Sequence, residues 1–92
     1  MYYVYVLKSE KDEDMYVGYT ADLGERIAIH NAGKVKSTQA RRPLKLIYYE
    51  ACLNQKDALR REKYLKTAYG KRYIKSRLKG YLAGYHEETQ TF

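Results

Sequence analysis

Cysteine is nearly absent from this chain: Cys52 stands alone among 92 residues. A single cysteine forms no internal disulfide and excludes a cysteine-based zinc site. That usage fits a reducing compartment, and the cytoplasm is the expected location. Long apolar runs are missing too. The opening MYYVYVLKSEKDED has no basic n-region, and charges follow its apolar residues at once. Neither a signal peptide nor a membrane-spanning segment is expected. No repeat and no low-complexity linker breaks the chain. Tryptophan is absent and Phe92 is the one phenylalanine, so the aromatic content is almost entirely tyrosine, twelve residues of it. Acidic residues are in the minority, eleven against eighteen Lys and Arg, for a net charge of +7.

What remains is enough for one domain. A chain this short buries only about 60–65% of its unfolded surface, so each buried polar group is a noticeable cost. The basic balance favours a polyanionic partner, most commonly nucleic acid. Tyrosines offer stacking platforms for bases, although many here must serve as core residues with a polar tip. Charge alone does not distinguish this from a basic protein that its charge merely keeps dispersed.

Tyr2 to Leu7 and Met15 to Tyr19 read as β-branched and aromatic strands. The polar stretch between them is too short for a parallel crossover, so they form an antiparallel hairpin. Asp22 is an N-cap with Glu25 as its box partner, opening a helix that Gly33 ends. Lys34 to Pro43 is a polar, basic surface loop, and LKLIYYEA from Leu44 to Ala51 is a third strand. Asn54 caps a second helix carrying KDALRREKYLKTAY, which Gly70 interrupts. A third helix follows from Lys71 to Leu82. The order β-β-α-β-α-α predicts an α+β domain, a three-stranded antiparallel sheet flanked by helices. Residues 1–80 are expected to form that domain and residues 81–92 a tail, frayed from His86 to Phe92.

Helical periodicity of about 100° per residue exposes two anomalies. In the first helix, Arg26 and His30 fall within the apolar arc of Leu23, Ile27 and Ile29. At i, i+4 their heads can converge on one ligand. An arginine that buries only its stem, and a core histidine with satisfied hydrogen bonds, explain each residue taken singly. In the second helix, Glu62 projects near the middle of a stripe of Ala58, Leu59, Leu65 and Tyr69, while Arg61 and its cationic neighbours face outward or border it. Glu62 is either ion-paired with Arg26 or the single carboxylate of a Mg²⁺ site completed by water and substrate phosphate. The pattern does not choose between them. By period two, Tyr3, Tyr5 and Leu7 share a strand face, as do Tyr16 and Gly18. Tyr5 and Tyr16 can meet across the pair, with Gly18 leaving room beside them. In KVKSTQARRPLK, the residues Lys34, Lys36, Ser37, Thr38, Arg41, Arg42 and Lys45 are suited to a phosphate-binding rim.

These residues resemble the GIY-YIG nuclease family. Tyr3-Val4-Tyr5 and Tyr16-Val17-Gly18 stand at its naming tripeptides, with Tyr for the first Gly and Val for Ile. GYT-x-DL-x-x-R-x-x-x-HN follows, with Arg26 and His30 at the family spacing; RRPLKLIYYEA and DALRREKYLK extend the likeness over Met1 to Leu78. The small single-domain branch is the best match. The resemblance implies an endonuclease that hydrolyses DNA phosphodiester bonds with one divalent metal, Mg²⁺ or Mn²⁺. Branched, damaged or single-stranded DNA in repair or recombination is the implied substrate, with no small-molecule cofactor. Glu62 matches the metal ligand, Arg26 the group on the scissile phosphate, and Tyr5 the residue that helps activate water. Tyr16 and His30 match residues that position or relay. An asparagine found downstream of the metal glutamate in many members has no counterpart after Glu62. On this reading Arg26 and His30 form a cleft wall, Tyr5 and Tyr16 its floor, and Glu62 faces them. Two other readings compete: a non-catalytic nucleic-acid-binding module of the same fold, and a structural adaptor for a protein partner.

Overall fold

A computed structural model describes residues 1–84. Strands β1 (Tyr2–Ser9) and β2 (Met15–Thr20) form the hairpin, helix α1 (Leu23–Asn31) follows, and β3 (Leu44–Cys52) completes the sheet. Helices α2 (Gln55–Leu65), α3 (Ala68–Arg77) and the single turn α4 (Lys79–Leu82) close the described chain. A 3₁₀ turn, Gln39–Arg41, lies in the connection between α1 and β3. The sheet order is β2-β1-β3, both pairings antiparallel. The α+β architecture therefore agrees with the sequence. No helix among the described residues is long and apolar enough to cross a membrane.

Because β1 is central, both its faces are covered. Its even residues Val4 and Val6 join Val17 of β2 and pack on Ala58, Leu65 and Ile74 of α2 and α3. Its odd residues Tyr5 and Leu7 join Leu44 and pack on Leu23 and Ile27 of α1. Burying an aliphatic side chain of this size stabilises by about 1.5–3 kcal/mol. The two helical layers are thus separated by the sheet.

β3 changes sides partway. Val6 pairs with Tyr48 but Leu7 pairs with Leu46, so Ile47 is an extra residue at this point. Leu44 and Leu46 face α1, whereas Ile47, Tyr48 and Cys52 face α2 and α3. The bulge is what brings Glu50 to α2.

The helices require corrections to the sequence reading. The second helix ends at Leu65 rather than running through Tyr69, and Thr67 caps α3 by accepting the Gly70 N–H at 3.1 Å. Gly70 is buried within α3 and is no interruption. A Cβ there would overlap the Tyr64 carbonyl oxygen and the Leu65 Cα. Only glycine lets α3 fold back so tightly on the end of α2. The third helix is divided at Leu78 into α3 and α4. The tail expected from residue 81 begins inside α4, and residues 85–92, including His86 to Phe92, lie outside the described residues.

Candidate active site

Three elements bring the site together, starting at a glycine. Tyr5 pairs with Gly18 across the hairpin. A Cβ on Gly18 would overlap the Tyr5 hydroxyl and ring, so the phenol lies directly over this residue. Tyr16, two residues away on the same face, tilts against Tyr5 with ring centroids 6.4 Å apart.

Asp22 caps α1 by accepting the Glu25 N–H at 3.1 Å. The helix then presents Arg26 and His30 to the tyrosines. Arg26 Nε donates to the Tyr5 hydroxyl at 3.3 Å, and His30 Nε2 lies 2.8 Å from the same oxygen. His30 is fully buried, edge-on to both Tyr5 and Tyr16 at 5.7 and 5.1 Å between ring centroids. Its other nitrogen, Nδ1, is 2.8 Å from the hydroxyl of Thr38, also fully buried.

One proton arrangement uses every contact. With the Tyr5 oxygen accepting from Arg26, a neutral phenol can donate to His30 Nε2. His30 Nδ1–H can then donate to Thr38, whose hydroxyl donates to the Val35 carbonyl at 3.5 Å. Burial pushes the Tyr5 pKa up, a rise to which Tyr16 and Glu62 add and which the Arg26 hydrogen bond opposes. Burial, together with the Arg26 charge, pushes His30 down. Both shifts hold the resting pair neutral. Arg26 is kept firmly charged, chiefly by its bond to Tyr5.

The connection after α1 holds this arrangement from behind. Buried Ser9 at the end of β1 donates to the Arg41 carbonyl at 2.7 Å, fixing the 3₁₀ turn that follows Thr38. Asn31 accepts the Leu44 N–H at 2.8 Å and donates to the Leu44 carbonyl at 2.9 Å, as a neighbouring strand would. Sequence reasoning missed both jobs. Thr38 was placed on a phosphate rim and Asn31 went unused; only the HN pair within the matched motif hinted at the latter.

Other expectations shift as well. Arg41 is half-buried, and its Nε pairs with Asp12 at 3.3 Å, so it braces the hairpin turn rather than lining a rim. Lys34, Lys36, Ser37, Arg42 and Lys45 are exposed. Arg42 Nε donates to the Gln39 carbonyl at 2.8 Å, while Lys45 lies 5.7 Å from the Tyr81 ring centre.

α1 and α2 pack on opposite faces of the sheet. His30 lies beneath the two tyrosines instead of forming a wall. Arg61 and Glu62 flank the buried line of Ala58 and Leu65 on α2, and Arg61 is bonded to both carboxylate oxygens of Glu50 at 2.8 and 2.9 Å. Leu59 and Tyr69 are exposed, contrary to the expected stripe. Glu62 is more buried than Arg61, its side chain 22% exposed against 33%, and it pairs with Lys66 at 3.2 Å. The anticipated Glu62–Arg26 ion pair is not among the described contacts. Glu62 is nonetheless near enough to act on the charge of Tyr5.

Among the described residues no three acidic, histidine or cysteine side chains converge as a metal cage. One partly open carboxylate fits Mg²⁺, which keeps several waters and takes further oxygens from phosphate.

A hairpin, a capped helix carrying Arg and His under two tyrosines, and a carboxylate on the next helix make up the candidate site on a small α+β scaffold. The chain belongs to the GIY-YIG family, a nuclease family whose catalytic domain model matches residues 1–77. It is 48% identical over 67 residues to a UPF0213 protein of Staphylococcus haemolyticus, covering 72% of this chain and 80% of that one. It is 40% identical over 87 residues to a UPF0213 protein of Streptococcus pyogenes serotype M5, covering 94% and 89%. The solution NMR structure of a UPF0213 protein from Bacillus halodurans superposes with a TM-score of 0.52 at 35% identity, covering 83% of this chain and 84% of that one.

Proposed function

We propose that this protein is an endonuclease that hydrolyses DNA phosphodiester bonds with one divalent metal ion. The observation that carries the reading is the Tyr5 hydroxyl, held between half-buried Arg26 and the fully buried His30–Thr38 pair. A chain of neutral polar groups through a core this small has no advantage for stability over apolar packing. It does fix one oxygen and one proton path.

Arg26 binds the scissile phosphate and offsets charge that develops there. Tyr5 orients the attacking water and accepts its proton, passing its own to His30. Thr38 keeps the imidazole in the tautomer that can receive it. Tyr16 packs on the imidazole and excludes water from its face. Glu62 holds the metal. A bound divalent ion would supply Lewis acidity and lower the pKa of a nearby phenol, which burial now keeps high.

The test is cleavage of labelled single-stranded, duplex, flapped and four-way DNAs in Mg²⁺, Mn²⁺ or EDTA. Cutting that requires metal and disappears in Glu62→Gln supports the reading. Binding without cutting, equal in both proteins, overturns it in favour of a non-catalytic nucleic-acid-binding module.

A further inference from the structure

The positive charge is concentrated in one part of the chain. Residues 55–84 hold ten Lys and Arg against two acids, Asp57 and Glu62, whereas residues 1–54 hold eight against seven. Most of the excess therefore lies on α2, α3 and α4, while the loop between α1 and β3 adds Lys34, Lys36, Arg41 and Arg42 with no acid.

The same helices expose tyrosines that the core does not use. Tyr69 is 66% exposed, Tyr64 42% and Tyr73 36%. Tyr69 and Tyr73 stand one turn apart on α3, on the same side of the helix. Guanidinium groups lie over these rings: Arg61 lies 4.9 Å from the Tyr73 ring centre and 5.4 Å from that of Tyr64, and Arg72 lies 4.7 Å from that of Tyr69. Arg61 is locked by Glu50, and Tyr73 touches the Tyr48 hydroxyl at 3.3 Å, so this part of the row is held rigidly.

We propose that the exposed tyrosines Tyr64, Tyr73 and Tyr69, with Arg61 between the first two and Arg72 against the third, form a platform for single-stranded nucleic acid. Stacking needs unpaired bases, because a duplex hides their faces. The surrounding excess of cations matches the backbone of such a strand. A pre-positioned ring and guanidinium lose little freedom on binding, so the contact is efficient. The inference takes nucleic acid as the ligand from the proposed function, but it does not depend on cleavage.

The experiment is fluorescence anisotropy in EDTA with a labelled 20-nucleotide DNA of about that length, single-stranded or annealed to its complement, compared across salt concentrations. Tyr69→Ala is expected to weaken single-strand binding about tenfold and duplex binding much less, while Tyr69→Phe retains both. Arg72→Ala serves as a second probe, and circular dichroism establishes that each variant is folded. Unchanged single-strand affinity in Tyr69→Ala and Arg72→Ala overturns the platform. So does an equal loss on duplex, or a larger loss in a Lys34→Ala, Lys36→Ala variant. Tight single-strand binding through Tyr69 without any metal-dependent cleavage would leave the platform standing and remove the nuclease reading. Cleavage with Tyr69 dispensable for binding would do the reverse.

Discussion

On the α1 face of the sheet the fully buried polar groups are neutral and hydrogen-bonded to one another or to backbone, whereas on the α2 face they meet as a charged pair near the rim. Ser9, His30 and Thr38 are fully buried. The side chains of Arg61 and Glu50 remain 33% and 26% exposed. Charges cost several kcal/mol to bury, so the pair stays close to water, while neutral groups tolerate deep burial if every donor finds an acceptor. The pair has an evident structural task, tying β3 to α2. The neutral chain ties an imidazole to one phenol oxygen, and that asymmetry points to chemistry on the α1 face.

The comparison breaks most severely at the fold-back of α3. Gly70→Ala would press a methyl group into backbone that cannot yield, separating α3 from α2. A loss of about 3 kcal/mol is expected from overpacking of this kind, read as a lower urea midpoint. His30→Ala comes next, at about 2–3 kcal/mol, since it leaves a cavity and strands the Tyr5 and Thr38 hydroxyls. A result within about 0.5 kcal/mol of wild type, against roughly 1–3 kcal/mol for each unsatisfied group, would show that water replaces the imidazole and that the chain is not tightly specified.

Glu50→Gln removes one partner of the half-open pair, and about 1 kcal/mol is expected after allowing for solvent screening. The two faces also differ with pH. His30 is depressed below its ordinary 6.5 by burial and Arg26, so the unfolded chain takes up this proton first and stability falls as pH drops below about that value. Glu50 is depressed as well: burial would raise it, but the hydrogen bonds from Arg61 and Tyr48 prevail. Its contribution is present above the ordinary 4.5 and is lost as pH falls further. Urea titrations at a series of pH values should therefore show two regions of loss. His30→Gln should flatten the upper one and Glu50→Gln the lower. The smallest effect belongs to Lys66→Ala. Its ion pair with Glu62 is an exposed i, i+4 contact worth about 0.3–0.5 kcal/mol, and the midpoint should scarcely move.

Much of this was legible in the chain. The three strands, the Asp22 and Asn54 caps and the meeting of Tyr5 with Tyr16 over Gly18 follow from period two, cap chemistry and glycine's lack of a side chain. Arg26 and His30 stood out because they broke an apolar arc. On α2 the same reasoning singled out Glu62 but overlooked Arg61, which flanks the other side of the buried line and reaches Glu50. The helix break was assigned to Gly70 because glycine is a weak helix former. Thr67, a less conspicuous signal, makes the actual cap.

The sequence by itself determined the elements, the family and the residue types from which a site is built, because those depend on spacing along one segment. The tertiary structure decided which segments meet. It placed Thr38 behind His30, through a turn held by Ser9. It turned β3 at Ile47 so that Glu50 reaches Arg61. Periodicity fixes which residues share a face within an element, but one inserted residue reverses that face, and nothing along the chain records what stands opposite.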